Sequence, residues 1–276
     1  MLAGIDYIAE KTRQAIEVHE EDYTGTDGLL YCGKCRTPKQ CRIEILGQIR
    51  IPYCLCKCEE EHDRRIQEEM NQERTERLRR DCFPDADMCQ WQFASDDGTG
   101  DQKALSAMKN YAEKFKIMQE KQLGLLVYGD VGVGKSFAAA CVANTLLTDG
   151  YSVKWLSAIQ IGERGFFRNE QEQEEYTRCV TSPDLLILDD LGAERQTDFT
   201  AERIHSLINT RILTNKPMLV TTNLTPDQLT NTGNVQKNRI FSRLFKMTVP
   251  VQYTGSDRRK KIMKQNFHDV KDLLGL

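Results

Sequence analysis

The sequence lacks the long hydrophobic runs that anchor a chain in a membrane. No apolar stretch approaches the roughly 20 residues of a bilayer-spanning helix. The first residues show no basic start followed by an apolar stretch, so we expect no secretory signal. The net charge is only -3, so the chain as a whole is not a basic surface for nucleic acid. We therefore expect a cytoplasmic protein with no membrane partner, in which any nucleic-acid site is a local patch.

Histidine is scarce, with four residues that form no ligand pattern, whereas cysteine is abundant, with ten residues. Six of the ten lie between Cys32 and Cys58. Because cytosolic thiols stay reduced, a metal site is a better expectation than disulfides. We favour a Zn²⁺ site with four thiolate ligands, namely Cys32, Cys35, Cys56 and Cys58. Cys54 is the leading substitute, Cys41 is the least favoured, and an iron–sulfur cluster or free thiols are the alternatives.

Composition divides the 276 residues into three parts. Residues 1–58 are expected to form a small zinc-binding module, for which metal supplies much of the folding energy. Residues 59–100 read as a charged helical linker, with eight acidic and six basic positions in 59–80 and a polar, glycine-containing turn near residue 100. Residues 101–276 are expected to form one larger domain of alternating helices and strands.

The third part has the pattern of an α/β protein with a parallel sheet. Short apolar segments alternate with helical ones in this part of the chain. The predicted strands are Leu123–Tyr128, Ser152–Leu156, Leu185–Leu188 and Pro217–Thr222, and the predicted helices include Ser136–Thr148 and Ala201–Thr214. We therefore predict a parallel sheet flanked by helices.

A glycine-rich loop joins the first of these strands to a helix. Its sequence is Gly129, Asp130, Val131, Gly132, Val133, Gly134, Lys135 and Ser136, which fits G-x-x-x-x-G-K-[ST]. Glycines allow backbone N–H groups to wrap phosphate oxygens. Lys135 is expected to reach the β- and γ-phosphates, and the Ser136 hydroxyl to bind Mg²⁺. The loop therefore predicts an ATP site.

Acidic residues follow the strand Leu185–Leu188 directly. The carboxyl ends of parallel strands form the ligand edge of such a sheet. Asp189 is therefore expected to bind Mg²⁺, and Asp190 to polarise the attacking water. Glu194 is an alternative helper, because Asp190 is one methylene shorter than glutamate. The alternative is a buried strand that ends in two acidic residues with no role in metal binding or catalysis.

A side-chain amide, Asn223, ends the next strand, after Pro217–Thr222. It is expected to lie between the glycine-rich loop and the acidic strand and to position water near the γ-phosphate. A plain turn beginning at Asn223 is the alternative.

Residues 100–265 resemble the AAA+ ATPases of the DnaC/DnaI helicase-loader group and the related IstB transposition helpers. The resemblance rests on LLVYGDVGVGKS, DLLILDDLGAE and NTRILTNKPMLVTTNLTPDQL. It implies that Gly129–Ser136 is Walker A, that Asp189 and Asp190 form Walker B, and that Asn223 is sensor 1. It also implies an arginine finger at Arg243, with Arg239 its neighbour, and sensor 2 at Arg259, with Arg258 adjacent.

The resemblance implies a slow, Mg²⁺-dependent ATPase encoded by a bacterium or by one of its phages or mobile elements. It further implies that this ATPase binds a hexameric replicative helicase and assists its loading on single-stranded DNA. It also implies self-association through ATP sites. An IstB-like transposition helper and a nucleotide-dependent adaptor with negligible turnover are the alternatives. Residues 1–58 are expected to bind either helicase or single-stranded DNA. A group of aromatic and basic side chains suits stacking on DNA bases, namely Arg164, Phe166, Phe167 and Arg168. A charged surface helix without a DNA contact is an equally supported interpretation.

Overall fold

The computed structural model describes residues 18–163, 169–193, 198–231, 235–271 and 273–275. The chain forms two units, 1–74 and 75–276. The division falls inside helix α1 (Lys57–Cys82), in the segment that the sequence analysis treats as a helical linker. Within the described ranges, no helix combines the length and apolar character needed to cross a bilayer.

The first unit contains two small antiparallel sheets. Strand β1 (Tyr23–Thr24) pairs with β2 (Leu30–Tyr31), and β3 (Ile43–Ile45) pairs with β4 (Gln48–Arg50). The β3–β4 turn consists of Leu46 and Gly47, with φ angles of 53° and 76°. Two successive positive φ values are the requirement of a type I′ hairpin turn, which normally selects Asn or Gly first. A leucine in this position is therefore conformationally unfavourable.

A buried lysine lies at the centre of the first unit. Lys39 Nζ is fully buried and lies 2.9 Å from both Asp22 Oδ2 and Glu59 Oε1. Asp22 also accepts the backbone N–H of Gly33 at 3.1 Å, which ties the first Cys-x-x-Cys segment to the ion pair. Burial opposes ionisation of Asp22, but the hydrogen bond from Lys39 and those from His19 and Gly33 lower its pKa to about 2. The sequence analysis did not identify this charged centre.

The second unit is built around a five-stranded sheet. Its strands are β5 (Gly124–Gly129), β6 (Val153–Ser157), β7 (Leu185–Leu191), β8 (Met218–Thr222) and β9 (Thr248–Tyr253). The spatial order is β6-β7-β8-β5-β9, and every pairing is parallel. All five strands therefore end at one edge of the sheet, which is where open α/β sheets bind ligands.

Helices connect and cover the strands of the second unit. They are α2 (Gln102–Glu113), α3 (Phe115–Glu120), α4 (Lys135–Thr148), α5 (Ala158–Glu163), α6 (Glu170–Thr181), α7 (Asp198–Leu213), α8 (Pro226–Thr230), α9 (Val235–Lys246) and α10 (Arg258–Val270). Two short 3₁₀ helices, Ala86–Gln90 and Phe93–Ser95, precede α2.

Alternate side chains of the strands enter two separate hydrophobic clusters. Leu185 and Ile187 belong to the cluster that contains α4, whereas Leu186 and Leu188 belong to the cluster that contains α7. All four are fully buried. A strand that is buried on both faces requires apolar residues at consecutive positions, and Leu185–Leu188 is such a run. The predicted fold class, a parallel sheet flanked by helices, is confirmed.

Arg211 of α7 is fully buried. Its guanidinium contacts both the segment between α6 and β7 and the segment that precedes β8. It donates hydrogen bonds of 2.8–3.3 Å to the carbonyl oxygens of Val180, Pro183, Asp184 and Pro217. Burial lowers its pKa to about 10, so it remains a cation at neutral pH. The guanidinium thus supplies donors to carbonyls at the start of β7 and the start of β8.

We expect Arg211→Met to lower the free energy of unfolding by at least about 3 kcal/mol, because four carbonyl oxygens lose hydrogen bonds from a buried cation. Urea unfolding of the full chain measures the change. Arg178→Met is the matched control, since Arg178 is an exposed arginine of the same unit, and it should change stability by less than about 0.5 kcal/mol. Equal effects of the two substitutions would contradict a structural role for Arg211.

Candidate nucleotide-binding site and thiol cluster

The glycine-rich loop joins β5 to α4 in backbone conformations that favour glycine. Gly132 has φ of 80°, and a Cβ there would lie 2.0 Å from Asp257 Oδ1. Gly134, with φ of 109°, is the N-cap of α4 and has no side chain to cap the helix. The first backbone N–H groups of α4 are therefore available to an anion at the positive end of the helix dipole.

Lys135 is buried at the edge where the strands end, and its ammonium group makes three hydrogen bonds. The acceptors are Gly129 O at 2.9 Å, Asp130 O at 2.6 Å and Asn223 Oδ1 at 2.7 Å. Burial lowers the pKa of Lys135, although the nearby carboxylates of Asp190 and Asp189 oppose that shift. The structure thus brings the amide that follows β8 into contact with the lysine of the loop.

Ser136 and Asp189 meet between α4 and β7. Ser136 Oγ lies 2.9 Å from Asp189 Oδ1, and Thr221 Oγ1 of β8 donates to the same oxygen at 2.6 Å. Burial raises the pKa of Asp189. A hydroxyl beside a carboxylate is a donor set of hard oxygen atoms, which suits Mg²⁺. The sequence analysis did not assign Thr221, although its place in the polar end of β8 was a usable signal.

The backbone of Asp190 differs from that of Asp189, the residue before it. Its φ is 56°, and the β7–β8 register shifts between Leu188 and Leu191. Its backbone N–H donates to Thr221 Oγ1 at 2.9 Å. A bulge of this kind changes the direction of a side chain, and Asp190 lines a pocket at this edge of the sheet. The alternative helper, Glu194, lies outside the described residues.

A pocket of about 640 Å³ extends from these groups, within the size range of small-ligand sites. Its lining includes Lys135, Ser136, Asp190 and Asn223. The rest of the lining is Trp91, Ser95, Asp97, Val131, Gly132, Gly134, Phe137, Arg258 and Arg259. The rings of Trp91 and Phe137 lie 5.8 Å apart. The wall formed by residues 91–97 was missed, because those residues were treated as linker.

The two basic residues predicted from the resemblance occupy different places. Arg259 lines the pocket, as does its neighbour Arg258. Arg243 lies on α9, is exposed, and donates to Asn209 Oδ1 of α7 at 2.8 Å. Arg243 is not among the described residues that line this pocket.

Four thiols of the first unit form a separate cluster. The Sγ atoms of Cys32, Cys35, Cys56 and Cys58 all lie within 4.8 Å of one another. The Cys32–Cys58 and Cys56–Cys58 sulfur pairs are 3.6 Å apart. Zn–S bonds of about 2.3 Å in a tetrahedron imply S···S separations of about 3.8 Å, so the spacing suits zinc. Cys54 Sγ lies instead near the carbonyl oxygen of Pro38, at 3.6 Å.

Hydrogen bonding and burial act differently on two of these thiols. A hydrogen bond with the Thr37 hydroxyl lowers the pKa of Cys35 to about 5. Burial raises the pKa of Cys56. Because metals bind thiolates, the hydrogen bond at Cys35 favours the form that binds a metal, whereas burial at Cys56 opposes that form.

Residues 56–266 match the family of IstB-like ATP binding proteins. The chain belongs to this family. It is 27% identical over 172 residues to the replicative helicase loader DnaI of Bacillus subtilis, covering 58% of this chain and 55% of DnaI. It is 26% identical over 135 residues to the replicative helicase loader DnaC of Escherichia coli K12, covering 48% and 54%. The chain thus spans about half the length of these curated relatives.

A solved structure supports the fold of this IstB-like protein. The crystal structure of the DnaI matches with a TM-score of 0.54 and 22% identity, covering 66% of this chain and 99% of that chain. The predicted AAA+ fold and the resemblance to the helicase-loader group are confirmed. As a family member, the chain is an ATP-binding protein.

Proposed function

We propose that this IstB-like protein is a cytoplasmic ATPase that assists loading of a hexameric replicative helicase on single-stranded DNA during DNA replication. The contact of Lys135 with Asn223, beside that of Ser136 with Asp189, is the observation that carries the ATPase part. The similarity to DnaI and DnaC, which are named replicative helicase loaders, supports the biological part.

Each group at the sheet edge has a role in this proposal. The backbone N–H groups of Gly129–Ser136 and the ammonium of Lys135 bind the phosphates of ATP. Ser136 and Asp189 hold Mg²⁺, which supplies charge neutralisation on the phosphate oxygens. Asp190 accepts a hydrogen bond from the attacking water, and Asn223 orients that water. Aspartate in place of a longer glutamate is consistent with slow hydrolysis.

Arg243 acts in this proposal on ATP bound to a neighbouring copy of the chain. Its exposed position on α9, outside its own pocket lining, supports a role across a subunit contact. A cation on the γ-phosphate stabilises transition-state charge and accelerates hydrolysis by about 10³–10⁵ in GTPase examples. Assembly and hydrolysis would then depend on each other, and the protein would self-associate through its ATP sites.

We expect Arg243→Ala to leave the Kd for ATP within about twofold and to lower turnover by at least about 100-fold. Lys135→Ala should lose both ATP binding and turnover. Mixing the two inactive proteins should restore part of the activity, because some contacts then pair an intact loop with an intact arginine. Steady-state ATP hydrolysis, measured where light scattering shows assembly, tests this. A mixture that stays inactive would assign Arg243 to the ATP of its own subunit, and unchanged turnover of Arg243→Ala alone would assign it to the surface.

The thiol cluster serves in this proposal as a structural zinc site. A small unit gains folding energy from a metal with four thiolate ligands. The separations of the four sulfurs and their burial support this donor set. The metal would fix the Cys-x-x-Cys segment against the start of α1.

We expect about one zinc per chain in reduced protein, the count of a single four-thiolate site. Cys56→Ser should lose most of the metal, because Cys56 lies in the sulfur cluster, whereas Cys54→Ser should retain it. Atomic emission on freshly purified protein measures both. Loss of zinc from Cys54→Ser with retention in Cys56→Ser would show that the ligand set is wrong.

The β3–β4 hairpin is the surface that we assign to helicase contact. Leu46 at its tip is 98% exposed and Ile49 is 73% exposed. Two costs in free energy therefore fall on Leu46. Its apolar side chain is exposed to water, and its backbone is left-handed, which is unfavourable for a residue with a side chain. Exposed aliphatic groups of this kind suit an apolar protein pocket, whereas binding to bases relies on aromatic stacking. We therefore assign the first unit to protein contact.

Two steps test the helicase-loading proposal. The chain is first used to capture proteins from a lysate of the host bacterium with ATP present, and the captured helicase is then used in a loading assay on single-stranded DNA. Leu46→Asp should reduce helicase capture by at least about tenfold while ATP turnover stays unchanged. Leu213→Asp, an equally simple change of an exposed leucine in the second unit, should leave capture intact. Failure of the wild-type chain to capture or load a hexameric helicase would reject this function.

A transposition helper remains the second candidate, because the family is named after IstB. It predicts capture of a transposase instead of a helicase. The third candidate, an adaptor with negligible turnover, predicts ATP binding without hydrolysis in the presence of single-stranded DNA. The proposed DNA contact at Arg164, Phe166, Phe167 and Arg168 lies outside the described residues. The helix that follows them, α6, carries four glutamates and does not itself favour DNA.

A further inference from the structure

Arg258, the first residue of α10, contacts three parts of the pocket wall. Its backbone N–H donates to Gly132 O of the glycine-rich loop at 2.9 Å. Its guanidinium carbon lies 5.5 Å from the centre of the Phe137 ring. Its Nη2 atom lies 2.9 Å from Asp96 Oδ1 and 2.5 Å from Asp97 Oδ1. The backbone and the side chain of this one residue therefore connect the loop, helix α4 and the turn that follows the second 3₁₀ helix.

The two aspartates more than neutralise the charge of Arg258. The Asp96 side chain is only 6% exposed and also accepts hydrogen bonds from Gln102 Nε2 at 2.7 Å and Gly98 N at 3.0 Å. Burial opposes ionisation of Asp96, but the bonds from Gln102 and Arg258 lower its pKa. Two carboxylates and one guanidinium leave a net negative charge. Arg258 in this arrangement does not attract a triphosphate.

The same turn is attached a second time to the segment that precedes α10. Asp101 Oδ2 accepts the backbone N–H of Thr254 at 3.0 Å and its hydroxyl at 2.6 Å. Asp101 Oδ1 accepts Ala104 N–H at 3.0 Å and caps α2. Residues 96–101 are therefore held between the start of α2 and the start of α10.

This turn contributes Asp97 to the pocket lining. Trp91, Ser95 and Asp97 line the pocket together with Phe137. A nucleotide whose phosphates lie on the glycine-rich loop directs its base and ribose to the remaining lining. Two aromatic rings and a carboxylate suit a purine and the ribose hydroxyl groups.

We propose that Arg258 is a positioning residue for the base and ribose of the nucleotide: its ion pairs with Asp96 and Asp97 hold the 96–101 turn as the wall of the pocket. The proposal rests on the ATP-binding function proposed above. Arg259, which lines the same pocket, is the residue left to approach the phosphates. The two neighbouring arginines then have separate tasks, one on the wall and one on the ligand.

Binding of two magnesium-saturated ligands to the full chain tests this assignment. Arg258→Ala should raise the Kd for ATP about tenfold, while the Kd for inorganic tripolyphosphate, which has no base or ribose, stays within twofold. Arg258→Lys should recover part of the ATP affinity, because it keeps one ion pair. Lys135→Ala is the comparison variant and should weaken both ligands. In turnover, Arg258→Ala should raise KM and leave kcat nearly unchanged.

Equal loss of affinity for both ligands, or a fall in kcat at saturating ATP, would overturn the proposal and make Arg258 a phosphate ligand. Unchanged ATP affinity would overturn it as well. Asp96→Asn keeps the shape of the side chain and removes its charge, so it should show the same selective loss and decides the matter if Arg258→Ala fails to fold. A wild-type chain that binds neither ligand would reject the ATP site itself, which separates that failure from failure of the Arg258 assignment.

Discussion

The buried ammonium group of Lys135 is the point on which the geometry of the nucleotide site depends. Its three hydrogen bonds reach two carbonyls of the loop after β5 and the amide after β8. An ammonium group has three donors, so this arrangement satisfies it completely while it is out of water. The parallel sheet makes the arrangement available, because β5 and β8 are neighbours and end at one edge. An antiparallel neighbour would place one of these ends at the opposite edge.

The residues at this edge of the sheet could be predicted from the sequence, because short sequence patterns within single segments identify them. A strand, a glycine-rich loop and a helix define Gly129–Ser136, and a fully apolar run predicts where Asp189 lies. Their mutual contacts follow from strand direction, which alternating helices and strands imply. The left-handed backbone of Asp190 was not predictable, since it depends on a register shift between two strands. The pocket wall at 91–97 was missed for a related reason: its role depends on contacts with residue 258, far away in the chain.

The first unit shows a different balance between sequence and structure. The cysteine spacing predicted a four-thiol group, and the structure brings together the favoured four. The buried Lys39 with Asp22 and Glu59 had no local signal, because a lone lysine in a polar segment normally lies in solvent. A charged centre is costly to bury unless every charge is paired. The unit therefore depends on a polar network and, in our proposal, on a metal, where a larger domain would use apolar packing.

Three arginines of the second unit show that the surroundings, not the residue type, decide the function. Arg211 falls one turn beyond Leu207 and Ile208, on the buried face of α7, and there it is a structural donor to carbonyls. Arg258 is paired with two carboxylates, which cancel its attraction for anions. Its proposed role is therefore to hold the wall of the pocket in place. Arg243 is exposed and bonded to a neutral amide, so its charge remains available. A cation that is to act on phosphate must keep its charge uncompensated until the ligand arrives. Of these three, Arg243 meets that condition, which is why we assign it to a neighbouring ATP.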